Sequence, residues 1–146
     1  MTEGWFGDDY LISLNEAEVA SASDRYSISR FIPGHQVIGL RGWDDLIVRD
    51  SVGLVYTVPS VPMDSGFLSP YVLPEAESSM VPDERFFGKI KWYVQPIVFA
   101  GDPNTGMNVI WVNHEEHAPA VTWWNDLYRS VGSLPSATAE QYSRLW

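Results

Sequence analysis

The chain contains no cysteine among its 146 residues. This absence excludes disulfide bonds, thiolate metal ligands and cysteine nucleophiles, and it suits a reducing compartment. Long apolar runs are also missing, since none approaches the roughly 20 residues that span a bilayer. The first residues, MTEGWFGDDYL, have neither a basic region nor a long apolar stretch, so no secretory signal is expected. We therefore expect a cytoplasmic protein without a membrane partner.

Basic residues are scarce, with 9 Lys+Arg against 19 Asp+Glu and a net charge of −10. Between positions 50 and 84 there is no Lys or Arg. The six acids of this stretch are Asp50, Asp64, Glu75, Glu77, Asp83 and Glu84. Nucleic acid and anionic membrane are poor partners for such a chain, because both need a basic patch. The acids either serve solubility alone or form a negative patch that attracts a basic protein.

Aromatic residues are abundant at 14 %, within a hydrophobic content of 45 %. Large aromatic side chains bury much area, and a chain of this length has enough residues for one core but hardly for two. We therefore expect a single compact domain over residues 1–146.

Local patterns predict mostly antiparallel strands with a few helices. The segment NEAEVASASDRY predicts a helix that is capped by Asn15. The predicted strands of the first half are 10–14, 36–40, 46–48 and 54–58. Residues 63–89 hold three prolines among Ser, Gly and acids, which predicts a long irregular loop insertion with one short helix.

The second half predicts another hairpin followed by helices. The segments WYVQPIVFA and NVIWVN are apolar on both faces, so we expect two covered strands. Helices are expected near 119–131 and 137–145. Meandering strands with separate helices predict an α+β fold, in which helices pack on one face of a mostly antiparallel sheet.

The segment NHEEHAPAVTWWNDLYRS raises the question of a metal site. His114 and His117 would share a helix face, but Pro119 favours a helix that begins only at Pro119, with both histidines on the loop before it. We therefore expect no metal and a partly buried His117 bonded to backbone or to an acid. A metal-assisted hydrolase using His114, His117 and Glu116 is the alternative.

The helix after Pro119 has a core face. Val121, Trp124, Tyr128 and Val131 recur at helical spacing, and Leu127 widens the stripe. Trp123 lies off its centre, and Asn125 and Asp126 are expected to point elsewhere.

The segment GWDDLIVRD offers paired carboxylates. Neighbouring strand residues point to opposite faces, so Asp44 and Asp45 are not expected to share a site. The chain has no nucleophile elbow, dinucleotide fingerprint or phosphate loop. Nothing in the sequence requires an enzyme, and no cofactor is expected.

Four segments together resemble a known family. YLISL runs into a Glu-rich helix and is followed by FIPGHQVIGL, by the compact RGWDD turn and by a strand pair that leads to YTVPSVPMD. This order resembles the SUKH superfamily, which includes bacterial immunity proteins and fungal regulators of the Smi/Knr type. The resemblance implies an α+β fold and a binding role, often the neutralisation of a secreted toxin such as a nuclease.

The sequence thus predicts a non-catalytic, immunity-type protein that binds a basic toxin domain. Acids would speed association and buried aromatics would supply affinity. The expected partner-binding residues are Trp43, Asp44, Asp45, Glu75, Glu77, Asp83, Glu84 and Trp92. A regulatory or scaffold module without a toxin is a further alternative, and the oligomeric state is left open.

Overall fold

The computed structural model describes residues 1–75 and 79–132 of the chain. The strands are β1 Thr2–Phe6, β2 Asp9–Ser13, β3 Gln36–Arg41, β4 Asp45–Arg49, β5 Val55–Pro59, β6 Ser69–Pro70, β7 Ile90–Tyr93 and β8 Val109–Val112. The α-helices are α1 Glu16–Arg25, α2 Ile28–Phe31 and α3 His114–Gly132. The helix predicted at 137–145 and Glu77 lie outside the described residues.

The first six strands form one antiparallel sheet in the order β1-β2-β3-β4-β5-β6, and β7 pairs with β8 in a second sheet. Each strand of the large sheet pairs with the next along the chain, so the sheet is a meander. This arrangement confirms the predicted α+β fold. The predicted strands 10–14, 36–40, 46–48 and 54–58 correspond to β2, β3, β4 and β5, whereas β1 and α2 were not predicted.

Helix α1 begins as the sequence predicts. The Asn15 side chain accepts a hydrogen bond from the Glu18 N–H, and the Glu18 carboxylate accepts one from the Asn15 N–H. This reciprocal cap satisfies amides that the first turn leaves unpaired. The helix then packs its buried Val19 and Ala22 onto the sheet.

The main core lies between one face of the large sheet and the helices. Sheet residues Tyr10, Ile12, Leu40, Leu46 and Val48 share this core with helix residues Ala22, Ile28, Phe31, Val121 and Trp124. The opposite face is smaller and carries Leu11 and Ile47, which pack with Met80 and Tyr71. Two residues of the 63–89 stretch, Tyr71 and Met80, thus pack against the back of the sheet.

In the described parts of this stretch, 63–75 and 79–89, regular structure is limited to short pieces. Three-residue 3-10 turns occur at Ser65–Phe67 and Glu84–Phe86, and β6 pairs with β5. Val81 also exchanges two backbone hydrogen bonds with Trp5 and so joins the edge of β1.

The second hairpin is shorter and less covered than predicted. Residues 97–99 form a 3-10 turn instead of continuing the strand. On β7, Ile90 and Trp92 are buried, but on β8 both Ile110 and Trp111 are 43 % exposed. The expectation of two covered strands is therefore wrong for β8, whose Ile110 and Trp111 are exposed, although its Val112 packs against the core.

Helix α3 begins at His114, five residues earlier than predicted, and includes Pro119. The Asn113 side chain accepts from the Glu116 N–H, and Glu116 accepts from the Asn113 N–H, so this start is capped like that of α1. Proline removes one helical hydrogen bond. The cap and the burial of Ala118 and Val121 outweigh that loss.

The core stripe of α3 is confirmed, with Val121, Trp124 and Val131 buried and Trp123 exposed. Asn125, however, is buried instead of pointing elsewhere. In the part of the chain that the structure describes, no helix is both long and apolar enough to cross a membrane.

Candidate partner-binding site

The turn between β3 and β4 has an unusual backbone. Arg41 pairs with Asp45 across it, and both Gly42 (φ 59°) and Trp43 (φ 64°) are left-handed. Glycine adopts this conformation without strain, whereas a bulky residue there costs roughly 1–3 kcal/mol. Trp43 must therefore be held in place by its surroundings.

Aromatic rings provide that support. Trp43 stacks on Tyr10 at 4.9 Å between ring centroids, and it also contacts Phe86 and Trp111 at 5.1 Å each and Trp5 at 5.9 Å. A ring pair of this kind contributes about 0.5–1.5 kcal/mol beyond area burial. Four such contacts are sufficient to offset the backbone strain. We call these five residues, Trp5, Tyr10, Trp43, Phe86 and Trp111, the aromatic cluster.

A cleft of about 160 Å³ opens beside the turn, and we call it the acidic cleft. One wall consists of residues from the β3–β4 turn and the end of β5, and the other consists of residues from β7 and the segment that follows it. The lining residues are Trp43, Asp44, Asp45, Pro59, Ser60, Val61, Lys91, Trp92, Tyr93, Pro96 and Ile97. The structure thus brings four of the predicted site residues to one place: Trp43, Asp44, Asp45 and Trp92.

Asp44 and Asp45 share this cleft, contrary to the expectation that they would be separated. The alternation rule applies to extended strands, but Asp44 belongs to the turn and only Asp45 to β4. The Asp44 carbonyl is fixed by the Ser60 N–H at 3.0 Å.

The carboxylates of the cleft are incompletely neutralised. Lys91 Nζ lies 3.8 Å from Asp44 Oδ2, while Arg41 lies 4.0 Å from Asp45 and contacts Asp9 more closely, at 3.2 Å. Partial burial raises the pKa of both Asp44 and Asp45, and the nearby cations only reduce this effect. The site is therefore one where an added positive charge would be favourable.

Replacing Asp45 by Asn is expected to raise the free energy of unfolding at neutral pH. Because its pKa is raised in the folded state, the folded chain binds more protons than the unfolded chain, so stability falls as the pH rises above the ordinary value of 3.8. Urea unfolding of both proteins at neutral pH measures this difference.

The matched control is Asp83→Asn, which should lower the free energy of unfolding. The carboxylate of Asp83 accepts from Arg85 Nη2 at 2.8 Å and from Trp5 Nε1 at 3.0 Å, and these contacts lower its pKa. An Asp45→Asn protein less stable than the wild type would contradict the inference that the partly buried carboxylate of Asp45 destabilises the folded protein at neutral pH.

Three further predicted site residues, Glu75, Asp83 and Glu84, do not line the acidic cleft. Asp83 is an internal partner of Trp5 and Arg85, so its charge is largely compensated, while Glu84 is exposed beside it. Glu75 lines a different cavity, of about 270 Å³, on the back of the sheet. Trp92 is 8 % exposed, packs in the core and lines the acidic cleft.

Sequence reasoning missed several residues that shape the site. Lys91 and Tyr93 line the acidic cleft, and Trp5, Phe86 and Trp111 hold Trp43. The only available signal was the high aromatic content, which does not indicate which rings meet.

The two histidines share the first turn of α3, which corrects their placement on a loop. His117 is fully buried, its Nδ1 lies 2.6 Å from the Tyr26 hydroxyl, and its ring meets Trp92 at 5.1 Å. Burial lowers the pKa of His117 to about 3 and, less strongly, that of His114. The expected bond to backbone or to an acid is therefore replaced by a bond to a tyrosine.

These contacts give His117 a structural role. Glu116, the acid of the hydrolase alternative, is engaged in the helix cap with Asn113. Within residues 1–75 and 79–132, no three His, Cys, Asp or Glu side chains are grouped so that they could hold a metal ion.

Comparison of the chain with protein-family models, with curated proteins and with solved structures gives no match. The resemblance to the SUKH superfamily accordingly stays a prediction.

Proposed function

We propose that this protein is a non-catalytic binding protein that captures a basic partner domain at the acidic cleft. The partner we propose is a toxin domain with a basic, nuclease-like surface, which the protein neutralises by occupying it. The observation that carries the proposal is the convergence of Trp43, Asp44 and Asp45 at one opening on the surface.

The geometry suits recognition of a cation. Trp43, Trp92 and Tyr93 supply aromatic walls, and ring faces attract ammonium and guanidinium groups. The chain itself makes such a contact, because Lys91 Nζ lies 5.1 Å from the Tyr93 ring centroid and 3.8 Å from Asp44. A lysine or arginine from a partner would find the same combination of ring and carboxylate.

The net charge of the chain also favours a basic partner. A net charge of −10 attracts basic proteins over distances comparable to the Debye length and raises their association rate. A toxin that acts on nucleic acid must itself carry a basic surface. An acidic inhibitor therefore meets such a toxin with complementary potential.

Reversing both charges of the cleft, with Asp44→Lys and Asp45→Lys together, is expected to slow association at least about tenfold at low salt. The protein is first used to capture its partner from the source cells, and the purified partner is then followed by stopped-flow mixing at several salt concentrations. The rate should also lose much of its salt dependence.

The control reverses two exposed acids outside the cleft, Asp24 and Glu115, so that the net charge changes equally. This variant should lose only the part of the rate that depends on total charge. If both double variants associate with the partner at the same rate, the acidic cleft is not the binding site.

A further inference from the structure

The acidic cleft lies along the free edge of strand β7. Three successive residues of this strand, Lys91, Trp92 and Tyr93, line it. Successive side chains of a strand point to opposite faces, so a space touched by all three must face the strand edge. No residue of β8 lines the cleft, which places it on the edge away from β8.

The hydrogen-bond pattern shows which backbone groups face this edge. The Val94 N–H donates to the carbonyl of Asn108, directly opposite, at 2.9 Å. Hydrogen-bonded pairs alternate along an antiparallel ladder, so Trp92 bonds with Ile110, and Lys91 and Tyr93 belong to the intervening pairs. The backbone N–H and C=O groups of Lys91 and Tyr93 therefore point away from β8 and toward the cleft.

These backbone groups have no hydrogen-bond partner among the described residues. Residues at positions i and i+2 of an edge strand, here Lys91 and Tyr93, can exchange N–H···O=C bonds with an added strand. Sheet edges bind extended peptides in this way. The opposite wall carries Asp44 and Asp45, so an added strand would place its cleft-facing side chain beside two carboxylates.

We propose that an extended segment of the basic partner adds to the free edge of β7 as a further strand and places a lysine or arginine side chain between Asp44 and Asp45. This inference rests on the proposed function and names the form in which the partner is recognised. Backbone bonds to Lys91 and Tyr93 give affinity for any extended chain, and the two aspartates select a basic residue.

The probe is a capped peptide of alternating arginine and valine, added to the full chain. Amide hydrogen exchange at Lys91 and Tyr93 is expected to slow by about tenfold or more at saturation. The matched control is the amide of Trp111, which faces the outer edge of β8 and should not change. Protection at Trp111 instead, or no change at Lys91 and Tyr93 in the bound complex, would overturn the proposal.

Backbone methylation separates strand addition from simple charge attraction. Two peptides of equal charge are N-methylated, one at every valine and the other at every arginine. In one of the two peptides, the methylated N–H groups are those that must face β7. This peptide should bind on the order of tenfold more weakly than the unmethylated parent, because it loses one or two backbone hydrogen bonds. The other methylated peptide should bind like the parent. Equal affinities of the two sets would overturn strand addition.

Peptide affinities of a variant without the two carboxylates separate this inference from the proposed function. Asp44→Asn combined with Asp45→Asn should abolish the preference for arginine over a neutral peptide of alternating glutamine and valine. If that preference is lost but the two methylated peptides bind equally, the cleft binds cations and only strand addition fails. If the preference is unchanged, the proposed function fails with it.

Discussion

On acidification below pH 6.5, the folded protein is expected to lose up to about 1.4 kcal/mol of stability per pH unit, down to roughly pH 3. The cause is His117, whose buried neutral imidazole resists protonation until the pKa of about 3, whereas in the unfolded chain it titrates at 6.5. The unfolded state therefore binds the additional proton in this window, and stability rises with pH. Urea unfolding between pH 6.5 and 4.5 measures the slope before glutamates with lowered pKa contribute. Asp44 and Asp45, whose pKa is raised, contribute a slope of opposite sign above the ordinary value of 3.8, and this contribution is common to the wild type and the histidine variants.

The diagnostic variant is His117→Gln, whose amide oxygen can still accept a hydrogen bond from Tyr26. It should remove most of the pH dependence in that window. His35→Gln is the matched control, since His35 is only partly buried and bonds to the backbone carbonyl of Pro33. Equal slopes in the two variants would contradict the assignment to His117, and a residual slope in His117→Gln is expected from His114, whose pKa is also lowered.

Replacing Asn125 by Ala is expected to lower the free energy of unfolding by about 3 kcal/mol. This side chain is 1 % exposed and accepts a hydrogen bond from the Met63 N–H, while its amide donates to the carbonyls of Ser60 and Val121. It thereby ties α3 to the segment that follows β5. Its removal leaves buried backbone groups unpaired and creates a cavity, and both effects act in the same direction.

The neighbouring Asp126→Ala variant is the control for Asn125. Asp126 is half exposed and pairs with Arg30 on the surface, so its loss should change the stability by no more than about 1 kcal/mol. Thermal or urea unfolding of the two variants under identical conditions gives the comparison. Similar losses in both would mean that the buried network of Asn125 contributes little.

Acidic-cleft residues could be identified in part because their signals are local. Trp43, Asp44 and Asp45 stand side by side in the sequence, and the turn keeps them together. The expectation that the two aspartates would separate was wrong because it treated the turn as a strand. Trp92 comes from a distant strand, and its packing into the core beside the cleft cannot be inferred from one residue's type.

The error at Pro119 has a specific cause. Proline disfavours a helix interior, but Asn113 and Glu116 form a cap before it that follows the same pattern as Asn15 and Glu18. Two satisfied amides and a buried helix face outweigh one missing hydrogen bond. The capping pattern is present in the sequence, and it predicts the start of α3 better than the proline does.

By itself, the sequence determined the features that depend on neighbours along the chain: the capped helix α1, the meander of β2 to β5 and the acidic charge. Only the tertiary structure decided which distant residues meet. Trp5 donates to Asp83 across 78 positions and Tyr26 meets His117 across 91, and Lys91 faces Asp44 from another sheet. Such contacts arise from packing in three dimensions, for which hydrophobic periodicity and capping patterns carry no signal.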